Sequence, residues 1–154
     1  MRPIRLRFIG VEQGPYAGLA RHVCHRGQQL LGDSFAWVPS QERHLALQAM
    51  AEANIAVSCS LSETFSLAMA EAMALGQPLL RTRTGGWHEQ VLDAEGGFDL
   101  GEVSSCPQPE QVAVLQRLRD PQRVPDAVLQ NMRAQGQRQA AQFTHANYAE
   151  WLCQ

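Results

Sequence analysis

From Ser66 to Leu75 the chain reads Ser-Leu-Ala-Met-Ala-Glu-Ala-Met-Ala-Leu, a helix-forming run that is apolar nearly all round and carries one charge, Glu71. A helix without a polar face has to be buried between a sheet and a further layer. The run just upstream, Ile55-Ala56-Val57-Ser58-Cys59, has the length and apolar character of a parallel strand covered on both sides. Gly76 stands where a left-handed C-cap belongs, and Pro78 bars continuation. These features demand a layered α/β fold.

The rest of the chain repeats that alternation. Ile4 to Val11 reads as a strand, Gly14-Pro15 as a turn, and Ala17 to Leu31 as a helix closed by Gly32. Phe35-Ala36-Trp37-Val38 is a short strand stopped by Pro39, and Ser40 is placed to cap a helix from Gln41 to Asn54. After the helix from Ser66 come a strand from Pro78 to Thr82, a Thr84-Gly85-Gly86 turn, a short helix from His88 to Leu92 and a strand from Gly97 to Leu100. Pro109 to Leu118 and Pro125 to Phe143 read as helices, with a last helical piece capped by Thr144. Strands alternating with helices predict an α/β, Rossmann-like parallel sheet of about five strands with helices on both faces. Residues 1–154 are expected to form one domain with C-terminal helices over 109–154. The first strand departs from the pattern, because Arg5 and Arg7 alternate with Leu6 and Phe8. Either one face is less covered, or the strand lies near an edge, or the arginines snorkel at its end.

Composition narrows the function. A net charge of −2 offers no broad basic field, so nucleic acid is not expected as a partner. No stretch approaches the ~20 apolar residues of a membrane span, and no secretory apolar core follows the N-terminal arginines; a cytoplasmic location is expected. The four cysteines are scattered without ligand spacing, so neither a disulfide frame nor a metal site is expected. His22 and His25 flank Cys24, but on what reads as a helix surface.

Two carboxylates stand out. A buried carboxylate costs several kcal/mol unless paired or hydrogen-bonded, so Glu71 either lies at an exposed rim, or is satisfied by an arginine such as Arg81 or Arg83, or serves a ligand. Glu63 lies in the loop after a strand, at the carboxyl edge where open α/β sheets bind ligands. That loop runs into a helix start at Phe65, Ser66 and Leu67, whose backbone N–H groups and dipole attract phosphate. A carboxylate on either side of an anion-binding helix end suits a nucleoside diphosphate carrying a sugar.

Glu63-x7-Glu71, then Ala72-Met73-Ala74-Leu75-Gly76-Gln77-Pro78, then Gly85-Gly86-Trp87-His88-Glu89, resembles family 4 of the retaining GT-B glycosyltransferases, whose order is E-x7-E, EAMA-x-G-x-P and GG-x-x-E. Leu6 to Gly10, Trp37-Val38-Pro39 and Phe143 to Trp151 extend it more weakly. The resemblance implies that the chain is the C-terminal, donor-binding domain of such an enzyme, truncated. It assigns Glu71 to the ribose hydroxyls and Glu63, the catalytic candidate, to the hydroxyls of the transferred sugar. Thr64, Phe65, Ser66 and Leu67 would lie against the diphosphate and sugar, Trp37 and Val38 beside the nucleobase, and Gly85 and Gly86 in the turn beside the pocket, supported by Glu89. His88 is a further candidate for ligand contact. No D-x-D motif occurs, so donor binding is expected to need no metal, and no cofactor is expected beyond the nucleotide-sugar substrate.

The departures are informative. Ser66 stands where glycine is usual. The family's strand and helix bearing an arginine and a lysine that clamp the phosphates would precede Ile4, and this sequence contains no lysine. In the family's sheet that strand lies between the strands at Ile4 and Ile55, so either those two pair directly or another chain supplies one. The acceptor-binding domain would come from elsewhere, a second chain or domain, and the aromatic C-terminal segment is a candidate homodimer contact. The alternative function is a non-catalytic nucleotide-sugar-binding or scaffold module. A receiver-like or flavodoxin-like domain would need an acidic cluster or flavin loop that is lacking.

Overall fold

The computed structural model describes residues 1–10, 17–39, 42–85, 90, 96–102 and 108–143. The expected helix cap at Ser40, the helix around His88, the segment from Thr144 and the residues Gly86, Trp87, His88 and Glu89 lie outside them. The chain divides into two compact units, Met1–Ala49 and Met50–Gln154.

In the first unit, β1 (Leu6–Gly10) and β2 (Phe35–Pro39) pair in parallel, from Leu6 opposite Phe35 to Gly10 opposite Pro39. They are joined through α1 (Ala17–Leu31) and a single 3-10 turn, Gly32–Ser34. Among the described strands β1 pairs only with β2, and Arg5, Leu6 and Arg7 are all exposed. Arg7 Nη1 donates to the Ala49 carbonyl at 3.1 Å, in α2 (Arg43–Ala51). That helix is shorter than expected at both ends. Among the described residues Phe35 is the one buried apolar residue of this unit, and its ring abuts Gly27 of α1, where any side chain would collide with it.

The second unit holds β3 (Ala56–Ser58), β4 (Leu79–Arg81) and β5 (Gly97–Asp99), all parallel in the order β3-β4-β5. Consecutive strand residues face opposite ways, and β4 shows the consequence. Leu79 joins Ala56, Met69, Ala72 and Met73 in one core, with Ala140 and Phe143 against it. Leu80 joins Phe98, Leu100, Leu118, Val124 and Met132 in the other. The first is covered by α3 (Leu67–Ala74), the second by α4 (Pro109–Leu118) and the first half of α5 (Asp126–Ala140). All five expected strands are present, divided between a two-stranded and a three-stranded ladder; direct pairing of β1 with β3 is not among the ladders described. Among the described residues no helix is long and apolar enough to cross a membrane.

Helix α3 is not buried all round, as its sequence suggested. Met69, Ala72 and Met73 face the core, whereas Leu67 is 72% exposed. Ala74, seven residues on and so on the same side, is exposed as well: the helix keeps an open side opposite Met69, Ala72 and Met73. Gly76 takes φ +77° after the helix, the left-handed stop its sequence position called for.

Candidate functional site

The site is built on the loop between β3 and α3. Thr82 ties the loop to the end of β4 twice, its N–H donating to the Ser58 carbonyl and its Oγ1 to the Ser60 carbonyl, both at 3.1 Å. Ser60 Oγ in turn donates to Glu63 Oε1 at 2.9 Å, and Ser58 Oγ donates to Ser60 Oγ at 3.3 Å. The half-buried Glu63 carboxylate is thus held by a short hydroxyl relay from the strand end. Thr64 is exposed, and Phe65 is anchored edge-to-face on Phe143, ring centres 5.0 Å apart.

Ser66 is the N-cap residue of α3, 6% exposed, with extended backbone and no capping bond from its hydroxyl. Its carbonyl starts the helix by accepting from the N–H groups of Met69 and Ala70 at 3.1 and 3.0 Å. The first N–H groups of a helix have no partner within it, so this end is an anion-attracting group of donors at the sheet's carboxyl edge. Glu71 is half-buried, one turn into the same helix.

Gly85 closes over the loop. A Cβ on Gly85 would fall onto the Glu63 carbonyl oxygen and within 3.1 Å of the Thr64 carbonyl, so only glycine lets the turn approach this closely. Beneath the turn, Arg81 is wholly buried and donates to Gln90 Oε1, to Thr84 Oγ1 at 3.2 Å and to the Gly85 carbonyl at 3.2 Å. Arg83 goes the other way, to Asp99 at 2.8 Å through Nε and 2.5 Å through Nη2. That pairing holds the Arg83 guanidinium above its ordinary range, through the hydrogen bond and then the charge of Asp99.

The structure therefore brings Glu63, Thr64, Phe65, Ser66, Leu67, Glu71 and Gly85 together in the second unit. Trp37 and Val38 lie half-buried on β2 of the first unit, where Trp37 Nε1 donates to the Gly10 carbonyl at 3.4 Å. Gly86, His88 and Glu89 are outside the described residues. Sequence reasoning named Arg81 only as a possible partner for Glu71 and did not single out Ser60, Thr82 or Gln90 as parts of the site. Ser60 was within reach of it, three residues before Glu63 in a polar loop; nothing in the sequence announces Gln90.

A cavity of about 500 Å³ opens elsewhere, lined by Arg83, Asp99, Gly101, Glu102, Gln108 and Glu110 among others. None of the predicted residues lines it. Its one cation is already paired with Asp99 and stands among three carboxylates, which suits a diphosphate poorly. The helix end is the better anion site on charge, although it is the shallower feature.

The family described as glycosyl transferases group 1 matches residues 2–116, and the chain belongs to that family. No curated protein matches it by sequence. Among solved structures it is similar to sucrose-phosphate synthase from Thermosynechococcus elongatus (24% identity, TM-score 0.75), covering 96% of this chain and 36% of that one. It is similar also to HepE of Anabaena in complex with UDP-glucose (16% identity, TM-score 0.70; 97% and 41%). A third is the pneumococcal O-GlcNAc transferase GtfA in complex with UDP and GlcNAc (20% identity, TM-score 0.72; 96% and 28%). The fold is that of GT-B glycosyltransferases, and the chain spans less than half the length of each of these proteins.

Proposed function

We propose that this member of the glycosyl transferases group 1 family is the donor-binding part of a retaining glycosyltransferase and binds a nucleoside-diphosphate sugar at the amino end of α3. The reading rests above all on the fit of Gly85 against the Glu63 carbonyl, which packs the turn onto the loop that opens α3. In this arrangement the Ser66 and Leu67 N–H groups take the diphosphate, Glu71 accepts from the ribose hydroxyls, and Glu63, held by Ser60, accepts from hydroxyls of the sugar. Catalysis would come from stabilising the negative charge that builds on the departing diphosphate, by donors fixed before the reaction. No metal is needed for that role. The acceptor would be held by a further domain or a second chain. UDP-sugars are the first donors to test, since two of the similar proteins were solved with UDP-glucose or with UDP and GlcNAc.

The second reading is a binding module without catalysis. The two readings predict the same first result and part at the second. Calorimetric titration of the chain with UDP, GDP, ADP and their sugar conjugates should show saturable binding to one nucleotide series, abolished by Glu71→Ala. Absence of binding to all of them sinks the donor reading. Sugar transfer, once an acceptor-binding partner is added, separates enzyme from module.

A further inference from the structure

We propose that Arg81, acting through Gln90, fixes the tilt of the Ser66–Leu67 peptide and so aims the Leu67 N–H at the ligand; the inference deepens the proposed donor site and rests on it. Arg81 ends β4 with no exposed surface, and Gln90 beside it is equally buried. A guanidinium carries donors only, so it admits the Oε1 end of the Gln90 amide and repels the NH2 end. Arg81 Nη1 does donate to Gln90 Oε1. The amide can then turn only one way, and its Nε2 donates to the Ser66 carbonyl at 2.9 Å. The sense of this buried amide is decided by the charge of Arg81.

What Gln90 grips is half of a planar unit. The Ser66 carbonyl and the Leu67 N–H belong to one trans peptide and point in opposite directions. Holding the carbonyl inward therefore holds the N–H outward, at the exposed first residue of α3. The two helix bonds that the same carbonyl accepts, from Met69 and Ala70, restrain it along the helix axis; Gln90 adds a restraint from the core. Arg81 also grips the Gly85 carbonyl at 3.2 Å, so the turn and the helix start share one buried anchor. Arg81 is fully buried and does not reach the ligand itself; it is a positioning residue, and its effect is carried by an amide hydrogen two residues of the relay away.

Gln90→Glu tests this in the full chain. The substitution keeps size and gives Arg81 a carboxylate partner, so the fold should keep its melting temperature or gain. The carboxylate has no hydrogen to donate to the Ser66 carbonyl, so the peptide loses its anchor. The expected result is a shifted Leu67 amide resonance in the free protein and UDP affinity about tenfold weaker. A folded Gln90→Glu variant with the natural Leu67 resonance and the natural UDP affinity would overturn the proposal. If the natural chain fails to bind any nucleotide, the donor reading falls, and the role falls with it. Should Gln90→Glu not fold, Arg81→Met and Arg81→Lys decide by the same measurements. Loss in Arg81→Met with recovery in Arg81→Lys, which restores a buried donor to Oε1, supports the relay; equal UDP affinity in both refutes it.

Discussion

Alanine at Gly85 is the most direct way to disturb the proposed site without touching a polar group. Its φ is outside the left-handed region, which among the described glycines holds only Gly32, Gly76 and Gly101, so the effect is steric. The new methyl would strike the Glu63 carbonyl oxygen and crowd the Glu63 carbonyl carbon at 3.0 Å and the Thr64 carbonyl at 3.1 Å. All three are backbone atoms, so none can swing aside as a side-chain tip does. Either the turn or the loop must retreat by roughly an ångström, and overpacking of this kind costs about 1–3 kcal/mol. For a chain of this size that lowers the melting temperature by about 4–8 °C at the middle of the range. Misplacing a binding group by about 1 Å can cost up to ~100-fold, so UDP affinity should fall at least tenfold. Gly101→Ala is the matched control. It forces a left-handed φ of +74° on alanine, with no atom within 4 Å of the new methyl. It should lose about 1–2 kcal/mol of stability and leave UDP affinity as it was. Thermal melts and calorimetric titration of both variants make the comparison. Equal binding losses in the two, or natural affinity in Gly85→Ala, would refute the close approach as the basis of the site.

Three further outcomes are expected. Met73→Ala empties a side chain with no exposure in the core beneath α3 and should cost about 3 kcal/mol, read as a lower urea midpoint with an unchanged slope. Ser60→Ala removes the donor to Glu63; UDP should bind as before, while the extra affinity of the UDP-sugar over UDP falls by about fivefold, roughly 1 kcal/mol. Cys59 is exposed as a residue, yet the protein around its thiol desolvates it enough to raise it above its ordinary range, and only the thiolate reacts, so fewer molecules are reactive at neutral pH. Peptide-resolved alkylation at Cys59 should be slower at pH 7.5 than for an unhindered thiol, and should rise by about tenfold per pH unit until the thiol is ionised.

The sequence carried the architecture well, because its punctuation is local. The limits of α1 and α4 coincide with the expected ones, since Gly32 follows the first and Pro109 begins the second. The strands of the second unit came out shorter than their apolar runs, three residues each for β3, β4 and β5: flanking residues such as Ile55 and Leu100 pack in the core beyond the ladder. The helix at Ser66 misled in one respect. Apolar nearly all round, it gives no sign of which side stays open, so the exposure of Leu67 could not be read from it. The glutamates and the Gly85 turn were legible through their spacing. The relay from Arg81 to Ser66 was not, because its two bonds join residues 9 and 24 positions apart whose types are ordinary.

The two units differ sharply in what holds them. Within Met1–Ala49 the one buried residue among those described is Phe35, and α1 has none, with Leu19 and Leu30 61% and 63% exposed. The second unit has two apolar clusters and a central strand buried at every residue. Regions with few buried apolar contacts open at a lower free energy than the core does. Amide hydrogens of β1, β2 and α1 should therefore trade with deuterium through small, frequent openings, while those of β4 wait for global unfolding. The step in protection should fall near Ala49 and Met50.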